Sequence, residues 1–155
     1  MQRRHLLAAA LVFGALPAMA HHGWSSFDQN APLYLQGQVA SVRWTNPHAE
    51  AMLDVGKGLT LPADFAKRSL PAQQQSVDAA AIAARTQVPQ GAEGKWELEF
   101  APLPRMEAWG VAPLKVGDRI EVIGYVGVPG KPKVMRVEYL IVNGTTYGLR
   151  SSPVR

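Results

Sequence analysis

The sequence predicts a mainly β protein, a small OB-like barrel, closed or partly open, with five to six strands. Short runs rich in Val, Ile, Leu, Tyr and Trp recur along the chain and are separated by turn signals. A short helix is expected between strands three and four, and an inserted helix between strands two and three. This element order is typical of an OB barrel, and a generic small barrel or sandwich is the alternative.

The first strand, predicted from Leu33 to Trp44, is long, and its apolar pattern changes phase. Leu33 and Leu35 share one parity, whereas Val42 and Trp44 share the other. An extra residue in a strand moves every later side chain to the opposite face. We therefore expect a bulge or a sharp coil near Gly37, the glycine inside this strand.

The second strand follows a tight turn at Thr45-Asn46-Pro47, because proline cannot donate to a ladder and disfavours helix in the residue before it. Residues 48–55 then alternate in polarity, as a half-buried strand requires. The apolar side is Ala49, Ala51, Leu53 and Val55, and the polar side is His48, Glu50, Met52 and Asp54. OB barrels usually bind ligands on the face of strands two and three. The candidate ligand-face residues are Trp44, Asn46, Glu50 and Met52.

The remaining elements follow from turn residues and local composition. The insertion spans residues 56–94 and contains an alanine-rich helix predicted from Ala72 to Arg85, with Pro71 at its start. Strand three is expected over 95–101, the short helix over 104–109, strand four over 119–126 and strand five over 133–142. Asn143-Gly144 is a strong hairpin signal, and it predicts a sixth strand over 145–149.

Residues 1–20 are predicted to be a cleavable signal peptide. Arg3 and Arg4 give the positive start, residues 6–16 the apolar middle, and residues 18–20 (Ala-Met-Ala) the small-residue cleavage pattern. The expected organisation is therefore a signal peptide (1–20), an N-terminal arm (21–32), one barrel domain (33–149, with the insertion 56–94) and a C-terminal tail (150–155). The predicted location is the periplasm, with no membrane contact after cleavage.

Composition and motifs limit the possible functions. The formal net charge of +4 includes Arg3 and Arg4, which leave with the signal, and no Lys/Arg run remains, so nucleic acid is not an expected partner. The chain has no cysteine, which excludes disulfides, thiolate metal sites and a thiol nucleophile. It also has no nucleophile elbow, phosphate-binding glycine loop or His-x-x-x-His zinc pair, so we do not expect an enzyme.

Cleavage after Ala20 makes His21 the first residue of the mature chain and His22 the second. An N-terminal histidine offers its α-amine and its ring to one ion, and the amine, with a pKa of about 7.7–8.0, loses its proton far more readily than lysine. Such nitrogen ligands suit Cu(II) best among the common divalent ions. Copper is therefore the one cofactor that the sequence suggests. The candidate metal ligands are His21, His22, His48 and Asp28.

His48 is the obvious third nitrogen, but distance argues against it. A straight strand over residues 33–44 spans roughly 36 Å, and His21 leads into its start while His48 lies past its end. A strongly coiled strand would shorten the gap. The alternative role for His48 is a turn residue whose ring stacks on Trp44 or bonds to the Asn46-Pro47 corner.

Two functions follow from these observations. The first is an exported binding or accessory module without metal or catalysis, which uses the barrel face or the inserted helix to contact a protein or a small molecule. The second is a copper-binding protein, a carrier or a sensor, which uses the amine and the imidazole of His21.

Two segments also resemble a known family. The first holds His21-His22, Ser25-Ser26-Phe27-Asp28, Gly37-x-Val39 and Trp44-Thr45-Asn46-Pro47-His48, and the second runs from Leu114 to Tyr125. Together they resemble the small exported proteins grouped as domain of unknown function 6152 (DUF6152). The resemblance implies an exported, barrel-like domain, and it implies no activity, because the family has none assigned.

Cleavage of the signal peptide is open to direct measurement. Mass spectrometry of the intact protein recovered from the periplasm is expected to give a chain that begins at His21, because residues 18–20 provide the cleavage pattern. Any other first residue would remove the amine–imidazole pair of His21 and, with it, the copper hypothesis based on that residue.

Overall fold

The computed structural model describes residues 23–127 and 130–154. It contains the strands β1 (Leu33–Arg43), β2 (Glu50–Val55), β3 (Gly94–Glu99), β4 (Arg119–Tyr125), β5 (Val134–Val142) and β6 (Thr145–Gly148). Its helices are α1 (Ala79–Arg85) and α2 (Leu103–Ala108), with single 3-10 turns at Trp24–Ser26 and Phe65–Lys67. The six predicted strands are all present within a few residues of their expected bounds.

Five strands close into a barrel, which confirms the predicted OB-like fold. β1 pairs with both β2 and β4, β2 pairs with β3, and β4 pairs with β5, all antiparallel. The parallel pairing of β3 with β5 closes the ring, and β6 lies outside it on the far edge of β5. Helix α2 lies between β3 and β4 in the chain, where the sequence predicts the short helix.

β1 serves two partners because it coils around the barrel. Its first half, Leu33 to Gln38, pairs with β4, and its second half, Gln38 to Arg43, pairs with β2. A register shift lies between Val39 and Ser41 and explains why the apolar parity changes along the strand. The predicted bulge near Gly37 therefore exists, and it lies between Val39 and Ser41.

Gly37 has a different role, which is to let two backbones approach closely. A Cβ at this position would overlap the carbonyl oxygen of Asp54 in β2 and lie 2.9 Å from its carbonyl carbon. The obstacle is backbone within a paired ladder, so it cannot rotate away as a side chain would. Only glycine fits where β1 turns from β4 toward β2.

The barrel interior is filled by apolar side chains from all five barrel strands and is capped by α2 through Met106. β2 and β3 contribute alternate residues, as the two-residue period requires, and the alternation changes phase at the irregularities in the β1–β2 and β4–β5 pairings. The largest fully buried members of this core are Leu35, Leu53, Leu98, Phe100, Met106, Ile120, Met135 and Leu140.

The insertion packs against the outer wall of the barrel. Tyr34, Ile123 and Tyr139 form one register row across β1, β4 and β5 and point outward. Phe65 and Ile82 of the insertion cover this row and complete a second buried cluster. The ring of Phe65 meets that of Tyr34 edge to face, with 5.5 Å between centroids.

Polar contacts fasten the same insertion to the barrel. The Tyr34 hydroxyl donates to Glu121 at 2.7 Å, and Glu121 also pairs with Arg68, which in turn pairs with Asp64. Burial, together with the Glu121 carboxylate, raises the pKa of Tyr34 well above its usual range. The tyrosine therefore remains a neutral hydrogen-bond donor at physiological pH.

The helix of the insertion is shorter than its composition predicts. It begins at Ala79, not at Ala72, and the Asp78 side chain caps it by accepting from the amide of Ala81 at 2.9 Å. Before Ala79, tertiary contacts override the helix propensity of the sequence. Gln73 is buried and bridges to Pro153 in the tail, so the chain around it is extended.

Among residues 23–127 and 130–154, no helix has the length and apolar character needed to cross a membrane.

Replacing Gly37 with alanine is expected to destabilise the protein by about 2 kcal/mol or more, because the new methyl group must push β1 and β2 apart. Equilibrium unfolding in urea measures this change as a loss of unfolding free energy. Gly56→Ala is the matched control, since a Cβ at Gly56 meets nothing within 4 Å. Equal stability of the two variants would contradict the close approach at Gly37.

Candidate functional site

A row of polar residues crosses the outer face of the barrel, with one residue from each barrel strand. The register aligns Arg43 of β1 with Glu50 of β2, Glu50 with Glu99 of β3, Glu99 with Arg136 of β5, and Arg136 with Tyr125 of β4. We call these five residues the outer row. Their strand neighbours Val42, Ala51, Leu98 and Met135 pack in the core, so the row faces outward.

Arg136 is the most deeply buried charge of the outer row, with only 5% of its surface exposed. Its Nη1 lies 3.7 Å from Glu99 Oε2, and its Nη2 lies 3.4 Å from His48 Nε2. Nη1 is within hydrogen-bonding distance of no partner. Burial lowers the pKa of the guanidinium, and nearby Arg105 lowers it further, while the Glu99 carboxylate opposes this shift. The fork of Arg136 is therefore incompletely satisfied where it lies.

Trp24 covers this arginine and ties the N-terminal arm to the barrel. Its ring centroid lies 5.2 Å from the guanidinium carbon of Arg136 and 4.1 Å from that of Arg150. It also meets the Tyr125 ring edge to face at 6.3 Å. Such cation–π contacts strengthen when water is excluded. Trp24 therefore fixes the arm to the outer wall of the barrel.

Further contacts hold the arm downstream of Trp24. The backbone amide of Asp28 donates to the carbonyl of Val126 at 2.8 Å, and Gln29 donates to the carbonyl of Trp24 at 3.1 Å. Phe27 is buried with Tyr125. The chain from Trp24 onward is therefore part of the barrel wall.

A second arginine links the tail, the arm and the insertion. Arg150 pairs with the fully buried Glu138 of β5 at 2.6 Å and donates to Gln29 at 2.7 Å. Gln73 of the insertion donates to the other oxygen of Glu138 at 2.9 Å and accepts from the amide of Ser151 at 3.0 Å. Burial, with Glu138 nearby, raises the pKa of Tyr125 to about 12. Both oxygens of the buried Glu138 carboxylate therefore have a hydrogen-bond donor.

The structure shows where the candidate ligand-face residues lie. Trp44 packs on the core beside Phe100, with 6.3 Å between ring centroids. Asn46 accepts a hydrogen bond from the amide of Leu103 at 3.2 Å and so connects the β1–β2 turn, which contains a cis Asn46–Pro47 bond, to α2. Glu50 and Met52 lie together in a shallow depression on the outer face. The depression is lined by Ser41, Val42, Arg43, Glu50, Ala51, Met52 and Glu97.

The candidate metal ligands are partly placed. His48 lies beside Arg136, and this contact differs from the two alternatives, Trp44 and the Asn46-Pro47 corner, that the sequence suggests. Asp28 accepts from the amide of Asn30 at 3.0 Å in a local turn. His21 and His22 lie outside the described residues.

The coiling of β1 removes the distance argument against His48. Trp24 lies 5.2 Å from the Arg136 guanidinium, which itself lies 3.4 Å from the His48 ring. His21 lies three positions before Trp24, and an extended chain of three residue steps reaches about 10 Å. The straight-strand estimate does not apply, because β1 wraps around the barrel and the arm crosses back over β5.

Within the described part of the chain, no three His, Asp or Glu side chains form a group able to hold a metal ion. His48 alone among the candidate nitrogen ligands lies in that part. A copper site at this place therefore needs the residues that precede Gly23.

Arg136, Glu138 and Arg150 are the central residues of this region, and sequence reasoning did not select them. The sequence of β5 carried a signal for them. Its residues are apolar at both odd and even positions, except for Arg136 and Glu138. A strand apolar on both parities is covered on both faces. Charges inside such a strand must be buried and paired, and this marks them as structural or functional.

Comparison with known families gives one match. A sequence model described as "Family of unknown function (DUF6152)" matches residues 9–61. The DUF6152 resemblance is confirmed. The matched DUF6152 stretch contains His21, His22 and His48 and ends before the second resembling segment, Leu114 to Tyr125. Neither the curated proteins nor the solved structures contain a match to this chain.

Replacing Glu138 with glutamine is expected to cost about 3 kcal/mol of unfolding free energy, because it leaves the Arg150 guanidinium buried without its counter-charge. Urea unfolding provides the measurement. The matched control is Glu50→Gln, which breaks the exposed pair with Arg43 and is expected to cost about 1 kcal/mol or less. Similar costs for both variants would show that the Glu138 network is not specially dependent on charge.

Proposed function

We propose that this chain is an exported, non-catalytic binding protein whose ligand is Cu(II), as in a periplasmic carrier or sensor. The metal is held by the α-amine and imidazole of His21, with His48 as a third nitrogen. The observation that carries the proposal is the anchored arm. Trp24 is fixed beside Arg136, and Arg136 contacts His48, so the segment that follows the histidine pair starts next to the third ligand.

The donor set explains the choice of metal. An amine and two imidazoles are nitrogen ligands, which favour Cu(II) over the other common divalent ions. The α-amine loses its proton near neutral pH, so binding does not require an unusually basic medium. Asp28 is a weaker candidate, since its carboxylate already accepts the amide of Asn30.

The second candidate is a metal-free binding or accessory module with a protein or a small molecule as its periplasmic partner. The depression around Glu50, Met52 and Glu97 supports it, because OB barrels commonly bind on the face of β2 and β3. Its lining is shallow, and Glu50 is already paired with Arg43. The copper proposal is preferred because it names the nitrogen atoms that would bind the ligand.

Isothermal titration of Cu(II) into the mature protein, beginning at His21, is the test of the first proposal. His48→Ala is expected to weaken binding at least about tenfold, since losing a ligand should cost no less than losing a residue that orients one. Electron paramagnetic resonance of the same samples should show one nitrogen fewer around the metal.

The control blocks the amine. A Gly-Ser-Gly-Ser extension moves His21 to the fifth position and should abolish the tight site. An extension of one or two residues is unsuitable, because it would place a histidine third in the chain, where the amine, two backbone amides and the ring form a different copper chelate. Unchanged affinity of the extended protein would exclude the amine as a ligand.

A further inference from the structure

A cleft of about 390 Å³ lies where the insertion leaves the barrel. Its floor is the outer face of β1 at Gln36 and Gln38, whose alternate neighbours along the strand point into the core. Residues 56–60 of the insertion and Arg119 of β4 also line it. A volume of this size is typical of a site for a small molecule. None of these residues belongs to the outer row or to the candidate metal ligands.

Arg119 is the free cation of this cleft. Every other arginine in residues 23–127 and 130–154 pairs with a carboxylate or donates to a backbone carbonyl. Arg119 is exposed and makes neither contact within this part of the chain. Its register partner is Gln38, so the sheet fixes its position beside the floor. A planar guanidinium with free N–H groups is suited to a bidentate pair with a carboxylate or a phosphate.

A glycine-rich turn, Gly56-Lys57-Gly58, supplies further positive groups. Lys57 lies 3.9 Å from Glu93, and both side chains are largely exposed, so this ion pair is weak. Within the described residues, the amides of Lys57 and Gly58 donate to no backbone carbonyl. A Cβ at either glycine would meet nothing within 4 Å, so the turn is uncovered. Backbone amides that no carbonyl accepts attract anions.

One carboxylate also lines the cleft, but it already has a partner. Asp54 lies 3.5 Å from Lys95 of β3, which is outside the lining. The register places Asp54 on the β2 side of Gln38 and Arg119 on the β4 side. The Arg119 side of the cleft is therefore its positive end.

We propose that this cleft binds an anionic small molecule through a carboxylate or a phosphate group. Arg119 binds the anion, Lys57 and the turn amides contribute from the insertion, and the Gln36 amide contacts the polar remainder of the ligand. The site goes beyond the copper proposal and shares no residue with it. Failure of either proposal therefore leaves the other intact.

Titration of the mature protein with sodium phosphate or sodium succinate, followed by two-dimensional ¹H–¹⁵N NMR, tests the site. Sodium chloride at matched ionic strength is the reference, because it screens charges without offering an oxyanion. Saturable shifts are expected at the amides of Lys57 and Gly58 and at the side-chain N–H of Arg119. Saturation by phosphate alone assigns a phosphate-bearing ligand, and saturation by succinate alone a carboxylate-bearing one. Saturation by both supports the shared chemistry, and shifts no larger than those in chloride would overturn the proposal.

Variants of Arg119 test its role as the main cation. Arg119→Gln is expected to weaken anion binding at least about tenfold, because a charge-assisted pair is lost. Arg119→Lys should retain part of the affinity, since the charge remains while the planar fork is lost. Lys67→Gln is the matched control, because it removes an exposed charge from the insertion outside the cleft. Equal losses from Arg119→Gln and Lys67→Gln would show that only net charge matters and would overturn the site.

Asp54→Asn tests the sign of the ligand charge. It is expected to tighten anion binding, because it removes a like charge from the lining. Asp54 and Arg119 are both exposed, so their variants are expected to fold, and urea unfolding checks this. Weaker anion binding by Asp54→Asn would contradict an anionic ligand. Copper titration of Arg119→Gln, expected to match the wild type, separates this site from the copper proposal.

Discussion

The packing of the arm and the tail on the outer wall of the barrel depends on charged side chains that are buried away from water. Arg136 and Glu138 both lie in β5, and the arm and the tail cross over this strand and cover them. A buried guanidinium is tolerated only where carboxylates and aromatic faces replace its hydration. Trp24, Glu99 and Glu138 supply these contacts, one from the arm and two from the sheet. The arm, the tail and the barrel are therefore stable together rather than separately.

Most of the fold could be predicted because each strand carries its own signal. Residues 50–55 alternate in burial as their sequence alternates in polarity, and the Asn143-Gly144 pair marks the β5–β6 hairpin. The parallel pairing of β3 with β5 carries no local signal, because it joins segments far apart in the chain. The helix start was misjudged for a related reason. Gln73 has good helix propensity, but its contacts with Glu138 and Ser151 are tertiary.

The candidate site was less predictable than the fold. Local sequence identified His48 as a turn residue with a chelating ring, but its actual neighbour, Arg136, is 88 residues away in sequence. Treating β1 as straight also separated the arm from His48, whereas Trp24 of the arm and His48 both contact Arg136. A single bulge between Val39 and Ser41, together with the close approach at Gly37, bends the strand enough to change which residues are neighbours.

An arm that is anchored before metal arrives has a consequence for the proposed chemistry. Ordering a free peptide around an ion costs conformational entropy. The contacts of Trp24 with Arg136 and Arg150 already order part of the arm, so less entropy is lost when the ion binds. The same contacts place a cation next to the third ligand, which opposes tight binding. In the proposed copper site, the anchored arm would therefore favour binding and the neighbouring guanidinium would oppose it.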